Sequence, residues 1–289
     1  MSESQSSAAG AYADWIGRRE TMVDRIALAP ARGLLATLND TTTVLAEGDD
    51  LPPLWHWLYF LAPAPQSAID VDGHPVRGGF LPPVDLPRRM FAGARMTFAV
   101  PLKIGVEARR DSEILDVVEK SGRSGRLVFV TVRNRIFDSD RLCIEETRNI
   151  VYREAGGPTP APVPLSELPA APAGAWVETV LPDPVLLFRY SALTFNGHRI
   201  HYDHPYVTGE EGYPGLVVHG PLIATLLIDL VRRRADRPVR AFQFRANAPL
   251  FAGTPFRVIG QPTGDGVELT AERCDGAAAM TATAELLAG

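Results

Sequence analysis

The chain has 289 residues, 46% of them hydrophobic and 22% charged, with a net charge of −5 and two cysteines. That balance supports a sizeable buried core and excludes nucleic acid or an anionic membrane as the main partner. No apolar run reaches the roughly 18 residues that cross a bilayer, the start Met1-Ser-Glu-Ser is polar, and Cys143 and Cys274 stand far apart in strand-like runs, so a cytoplasmic protein with two free thiols is expected.

In chain order, residues 1–10 are rich in Ser, Ala and Gly and are expected to be disordered. Leu35-Ala-Thr-Leu-Asn39 follows, then the aromatic Leu51-Pro-Pro-Leu-Trp-His-Trp-Leu-Tyr-Phe60 and the turn-forming Gly78-Gly-Phe-Leu-Pro-Pro83. Trp55, Trp57, Tyr59 and Phe60 read first as core and second as a ligand cage. The arginines Arg88, Arg89, Arg123 and Arg126 read as solvated, with a phosphate contact as the alternative. Arg95-Met-Thr-Phe-Ala-Val-Pro101-Leu-Lys-Ile-Gly105 alternates as a strand and closes on Pro-Leu-x-x-Gly, and Leu127–Arg133 and Leu142–Tyr152 are further strands. Between Gly156 and Ala173 six prolines fall among alanines, which predicts an extended, semi-rigid connector.

Beyond the connector one helix is plain. Pro221 suits the first helical position, where its missing N–H would be unpaired anyway. Leu222, Ile223, Leu226, Leu227, Leu230 and Val231 continue it, with Ile228 on another face, so it is apolar nearly all round and predicted to be buried. Arg232, Arg233 and Arg234 favour its C-terminal dipole, and Pro238 stops it. The strand series then repeats: Arg245-Ala-Asn-Ala-Pro249-Leu-Phe-Ala-Gly253, Val267–Arg273 and Ala277–Leu287. Upstream, Ala192-Leu-Thr-Phe-Asn196 echoes Leu35–Asn39. Several echoes in one order point to duplication of a unit of roughly 120 to 140 residues, each a helix followed by antiparallel strands. A sheet wrapped around one helix is a hotdog, so the predicted fold class is α+β, a double hotdog. The expected parts are a disordered tail over 1–10, a non-catalytic hotdog over 11–155, a linker over 156–173 and a catalytic hotdog over 174–289.

Chemistry concentrates just upstream of that helix. Four of the six histidines, His198, His201, His204 and His219, lie there, in Phe195-Asn-Gly-His-Arg-Ile-His201-Tyr-Asp203 and Gly215-Leu-Val-Val-His219-Gly220-Pro221. Titratable side chains beside a helix N-terminus make a place where protons move and negative charge is stabilised, as a polarisable carbonyl substrate requires. His201 can also be a satisfied structural histidine, His198 and His204 can be structural, and His219 can simply cap the helix. Zinc held by His198, His201 and His204 is the weakest of these readings, and no metal is expected.

At these residues the chain resembles the MaoC-like (R)-specific hydratases, whose frame is Gly-Asp-x-Asn-Pro-(Leu/Ile)-His followed by His-Gly at a helix start. Asn196-Gly-His198-Arg-Ile200-His201 occupies the first element and His219-Gly220 the second. Phe188–Asp203, Glu211–Leu222, Leu51–Phe60 and Gly78–Pro83 are similar to the mesaconyl-C4-CoA and itaconyl-CoA hydratase branch, a resemblance reaching from about Tyr12 to the C-terminus. It implies an acyl-CoA hydratase for a short branched dicarboxylyl-CoA, with no cofactor beyond the CoA of the substrate itself, acting as a monomer (a pseudo-dimer of halves) or a homodimer. The departure is Asn196, where the wider family has Asp, because an amide exchanges no proton at neutral pH. The implied roles are His201 as proton carrier, Asn196 as a group holding the water by its carbonyl oxygen, and the Gly220 N–H as the enolate stabiliser. His198 and His219 complete the substrate pocket, Asp203 sets the His201 tautomer or sits on the surface, and Arg199 or Arg189 reads the second carboxylate. In the first half Val44 stands where a histidine would follow Asn39, so that half is expected to shape the tunnel. A hotdog thioesterase and a non-catalytic acyl-CoA-binding module are the alternatives.

Overall fold

The computed structural model describes residues 10–122 and 125–288, so the tail through residue 9 and Arg123 lie outside the described residues. The N-terminal half contains β1 (Arg19–Arg25), α1 (Leu28–Thr37), β2 (Arg88–Phe98), β3 (Glu107–Gly122), β4 (Gly125–Asp138) and β5 (Arg141–Arg153). The C-terminal half contains β6 (Trp176–Val180), α2 (Pro184–Leu193), α3 (His204–Gly209), α4 (Gly220–Arg234), β7 (Val239–Ala246), β8 (Phe256–Pro262), β9 (Gly266–Glu272) and β10 (Ala278–Leu286). No helix or strand falls between Arg153 and Trp176, where proline removes both backbone donors and φ freedom.

All ten strands form one antiparallel sheet in the order β1-β3-β4-β5-β2-β7-β10-β9-β8-β6. Read outward from the β2–β7 seam, the second half repeats the order of the first. At the seam Arg95 pairs with Gln243. Each stands six residues before the proline of its own Pro-Leu-x-x-Gly, so equivalent positions meet and a local two-fold passes between them. The duplicated strands read from the sequence are therefore present, and the sheet is continuous across both halves. The fold is a double hotdog.

The helices depart from the expectation of one per half. α4 is the buried central helix: Leu222, Ala224, Leu227, Leu230 and Val231 have no exposed surface. The helix of the first half, α1, is the counterpart of α2, since Leu35–Asn39 and Ala192–Asn196 end these two helices. No counterpart of α4 exists among the described residues. The chain arrives at the same place in both halves, because Leu51 N–H donates to Leu102 O at 2.7 Å as Val218 N–H donates to Leu250 O at 2.8 Å. From there the second half continues into α4, while the first makes only a 3₁₀ turn at Trp55–Leu58. Pro52, Pro53, Pro63 and Pro65 deny that stretch the N–H groups a helix would need. The two halves share one apolar core that includes Ile26, Leu34, Trp55, Met96, Leu227 and Phe242. At the far end of α4, Arg232 pairs with Asp40 of the first half at 2.5 Å and with Asp229 at 2.7 Å, and Arg233 pairs with Glu178 of β6 at 2.6 Å. Cys143 is buried in β5; Cys274 lies in the β9–β10 turn rather than a strand, and both are free.

Candidate active site

The motif is set by α2, whose start is capped by Asp183 accepting the Leu186 N–H at 2.7 Å. After α2 the chain turns sharply at Phe195, φ 49°. Asn196 Oδ1 then accepts the His198 N–H at 3.0 Å, fixing the turn that carries His201 inward. Arg199 donates twice to Asp203 Oδ2, at 2.9 and 2.7 Å, and once to the Val71 carbonyl at 3.0 Å. Asp203 in turn caps α3 by accepting the Tyr206 N–H at 3.1 Å.

Four imidazoles stand in a row. His201 and His219 stack at 3.6 Å between centroids, His198 meets His201 edge-on at 5.5 Å, and His74 lies 4.2 Å from His198. His201 Nδ1 is 2.6 Å from the Val217 carbonyl. A carbonyl only accepts, so that nitrogen carries the proton and Nε2 is left as a basic lone pair. Burial lowers the His201 pKa to about 4, so the ring is neutral at pH 7. Burial lowers those of His74, His198 and His219 as well. His219 Nε2 pairs with Ser191 Oγ at 2.8 Å. At the other end, His74 Nδ1 is 3.0 Å from Asp72 Oδ2, a hydrogen bond that holds the Asp72 carboxyl well below the usual carboxylate range despite its partial burial.

Asp72 and His74 come from the N-terminal half, on a loop pressed against the motif. Arg199 N–H donates to the Asp72 carbonyl at 2.9 Å. Gly73 has φ +89°, and a Cβ there would sit 1.9 Å from the Gly197 carbonyl, so only glycine fits. The sequence reading missed this pair. Its one signal was Asp-Gly-His, a turn-forming step beside a histidine.

A cavity of about 760 Å³ opens where the first half lacks its central helix. Asn196, Gly197, Tyr202 and Pro221 line it from the C-terminal half, and Trp57, Phe60, His74, Phe91, Arg110, Glu146 and Arg148 from the N-terminal half. His198, His201 and Gly220 are each chain neighbours of a lining residue. A Cβ on Gly220 would meet only the Phe91 carbonyl, at 3.9 Å, so the protein's own packing does not demand glycine there. Its N–H is one of the first-turn donors that have no acceptor within the helix. On β3, β4 and β5 the concave face carries a polar patch among buried apolar side chains: Glu146, fully buried, accepts from Trp57 Nε1 at 2.8 Å and Asn134 Nδ2 at 3.0 Å and pairs with Arg148 Nε at 2.8 Å.

Several expected roles are corrected by this geometry. His219 does not cap α4; its side chain is committed to Ser191. Asp203 does not hold the His201 tautomer, which the Val217 carbonyl fixes. Asn196 spends its carbonyl oxygen on the His198 N–H, leaving its amide nitrogen for the cavity. Arg199 is taken up by Asp203 and Val71, and Arg189 is exposed on α2 outside the cavity, so neither is placed to read an acyl group. His204 is exposed at the start of α3, so His198, His201 and His204 do not converge as a zinc set. The donors that do converge are those of Asp72, His74 and His198, within 4.8 Å of one another, a spacing a metal ion could bridge. Arg88 pairs with Glu211, and Arg126 with Asp85 and Glu119. Trp55, Trp57, Tyr59 and Phe60 are core residues, and three of them also form cavity wall.

The family model for type 2 hydroxyacyl-thioester dehydratases matches residues 54–252, which contain both motif elements and the cavity. The chain belongs to this family and is an enzyme of the hydratase and dehydratase class. Over 272 residues it is 56% identical to mesaconyl-C(4)-CoA hydratase of Chloroflexus aurantiacus, covering 94% of this chain and 96% of that protein. It is 30% identical to the mitochondrial type 2 hydroxyacyl-thioester dehydratase of Schizosaccharomyces pombe, over 84% of this chain and 90% of that one. A solved MaoC-like dehydratase superposes with a TM-score of 0.72 at 15% identity, covering 96% and 100% of the two chains. A Mycobacterium tuberculosis protein with a double hotdog fold gives 0.61 at 14% identity, covering 94% and 96%. No helix among the described residues is long and apolar enough to cross a membrane.

Proposed function

We propose that this enzyme adds water across the double bond of a C5 branched dicarboxylyl-CoA, mesaconyl-C4-CoA or itaconyl-CoA, in the reducing cytoplasm. The observation that carries the chemistry is the Nδ1–H of His201 held by the Val217 carbonyl, which leaves Nε2 as a neutral base on a ring stacked against His219 at the start of α4. His201 Nε2 takes a proton from water as the hydroxyl oxygen bonds to the β-carbon. The π electrons move onto the thioester oxygen, and the enolate is met by the Gly220 N–H at the positive end of α4. The enolate collapses as the α-carbon takes a proton from the imidazolium, which restores the base. The space left at Gly220 suits a thioester lying against the backbone. Asn196 steers the water through its amide nitrogen, which donates to the water oxygen and leaves the water protons for His201. In this reading the C-terminal half carries the chemistry, while the N-terminal half supplies the acyl cavity and the Asp72–His74 loop.

Hydration moves no electrons to or from a carrier, so the reaction calls for no organic cofactor. The test is to mix the enzyme with crotonyl-CoA and with mesaconyl-C4-CoA. Loss of enoyl-thioester absorbance without free thiol supports hydration. Thiol release would instead identify a thioesterase, and neither change would leave a binding module.

A further inference from the structure

Arg148 stands on the concave face of β5, in the wall of the cavity, with its guanidinium 5.6 Å from the Trp57 ring and 5.8 Å from the Phe91 ring, two rings that themselves pack edge to face. Its Nε lies 2.8 Å from Glu146 Oε2 as an ion pair without hydrogen-bond alignment, and its two terminal amino groups have no hydrogen-bond acceptor among the described residues. Glu146 is shared, since it already receives Trp57 and Asn134 and lies 3.8 Å from His56. Arg110 faces the same cavity from β3, held by the Phe60 carbonyl at 3.2 Å and by Glu20 at 3.3 Å. With Arg89, three guanidiniums line the cavity against one carboxylate. Such a surplus in a partly enclosed space is costly without an anion to meet it. The corresponding concave face of the second half is apolar, through Val258, Leu269, Ala282 and Ala284, so this polarity is peculiar to the half that lost its central helix. Arg148 is also close to the chemistry: Phe91, against which it packs, has its carbonyl 3.9 Å from the position of a Gly220 Cβ.

We infer that Arg148, backed by Arg110, is the specificity-determining residue that receives the second carboxylate of the acyl group, as a fork of two parallel N–H donors. This rests on the hydratase reading above. In mesaconyl-C4-CoA the free carboxylate is attached to the carbon that takes the hydroxyl, so its receptor must lie within a few ångströms of the reacting atoms. Arg89 and Arg148 both line the cavity with no hydrogen-bond acceptor among the described residues, and Arg148 is the one packed against the Phe91 that borders Gly220, whereas Arg199 is paired with Asp203 and Arg189 is exposed.

The experiment compares kcat/KM for mesaconyl-C4-CoA and crotonyl-CoA in the parent, Arg148→Gln and Arg148→Lys, with thermal melts to show that each variant folds. The parent should favour the diacid, and Arg148→Gln should reduce that preference by about 100-fold. Arg148→Lys should reduce it by about 10-fold, keeping the charge but losing the fork. An unchanged preference in a folded Arg148→Gln overturns the inference. Because that variant leaves Glu146 short of a partner and can fail to fold, the parent is also titrated with succinyl-CoA and butyryl-CoA. Tighter binding of the diacid by about 30-fold is expected, and equal binding overturns the inference. Preference for succinyl-CoA without hydration of either enoyl thioester would sink the hydratase reading and keep the carboxylate site. Hydration of crotonyl-CoA as fast as of mesaconyl-C4-CoA would do the reverse.

Discussion

Acidification should destabilise this protein through its buried histidines. His201 is fully buried, and its pKa falls from 6.5 to about 4 on folding. The unfolded chain therefore binds a proton in the interval between those values that the folded chain refuses. Stability conferred by the neutral ring is complete above the unfolded value and is lost as pH falls toward the folded one. Between about pH 7.5 and about pH 5, this single group withdraws about 2 kcal/mol of unfolding free energy. His74, His198 and His219 are shifted in the same direction by burial, as is His56, so the whole protein should lose more than His201 alone. Asp72 and Glu146 are held far lower and stay ionised through this window. Urea unfolding followed by circular dichroism at the two pH values measures the loss. In His201→Gln the loss should shrink by about 2 kcal/mol. A parent whose urea midpoint is the same at both pH values, or a variant that loses as much as the parent, would refute the picture of a neutral, desolvated imidazole.

His201→Ala should fold and lose at least about 100-fold in kcat, read from enoyl-thioester absorbance. Asn196→Ala should lower kcat without moving the acidic limb of the pH–rate profile, since no titrating group is lost; a strongly shifted limb would mean that Asn196 governs a pKa. Gly220→Ala should leave the melting temperature unchanged or raise it, a gain of up to about 1 kcal/mol from helix propensity, while kcat/KM falls because the new methyl occupies thioester space; undiminished kcat/KM would displace the thioester from that helix end. Asp72→Asn should lower activity while leaving the β-sheet circular dichroism signal intact, because the His74 hydrogen bond weakens; full activity would make the loop a bystander.

The sheet was legible because its strands alternate and repeat, and because Pro-Leu-x-x-Gly marks the same turn twice. The missing helix was not, since the repeated strands implied the same helix in each half, and the echo of Leu35–Asn39 at Ala192–Asn196 marks the ends of α1 and α2 instead. The prolines from Pro52 onward held the contrary information. The frame Asn196–His201 with Gly220 was readable because those residues are local in sequence and their spacing is set by turns. Partners that arrive from afar were not: Asp72 and His74 reach the motif across more than a hundred residues, and Val217 fixes His201 through a carbonyl that every residue possesses. Arg148 did leave a trace. In Leu142–Tyr152 the inward positions run Ile144, Glu146, Arg148, Ile150, and two charges where apolar side chains belong in a buried strand mark an interior that has something polar to meet.

The two-fold at the Arg95–Gln243 seam has a consequence for how such an enzyme can change. In a dimer of identical hotdogs, every substitution is made twice: a strand charge that improves one interior burdens the other, and a helix deleted for room is deleted from both. Joined in one chain, the copies are released from that symmetry. One keeps its central helix, with the stacked histidines His201 and His219 at the helix start. The other has a cavity in place of that helix, and its walls can change without altering the helix start of the first.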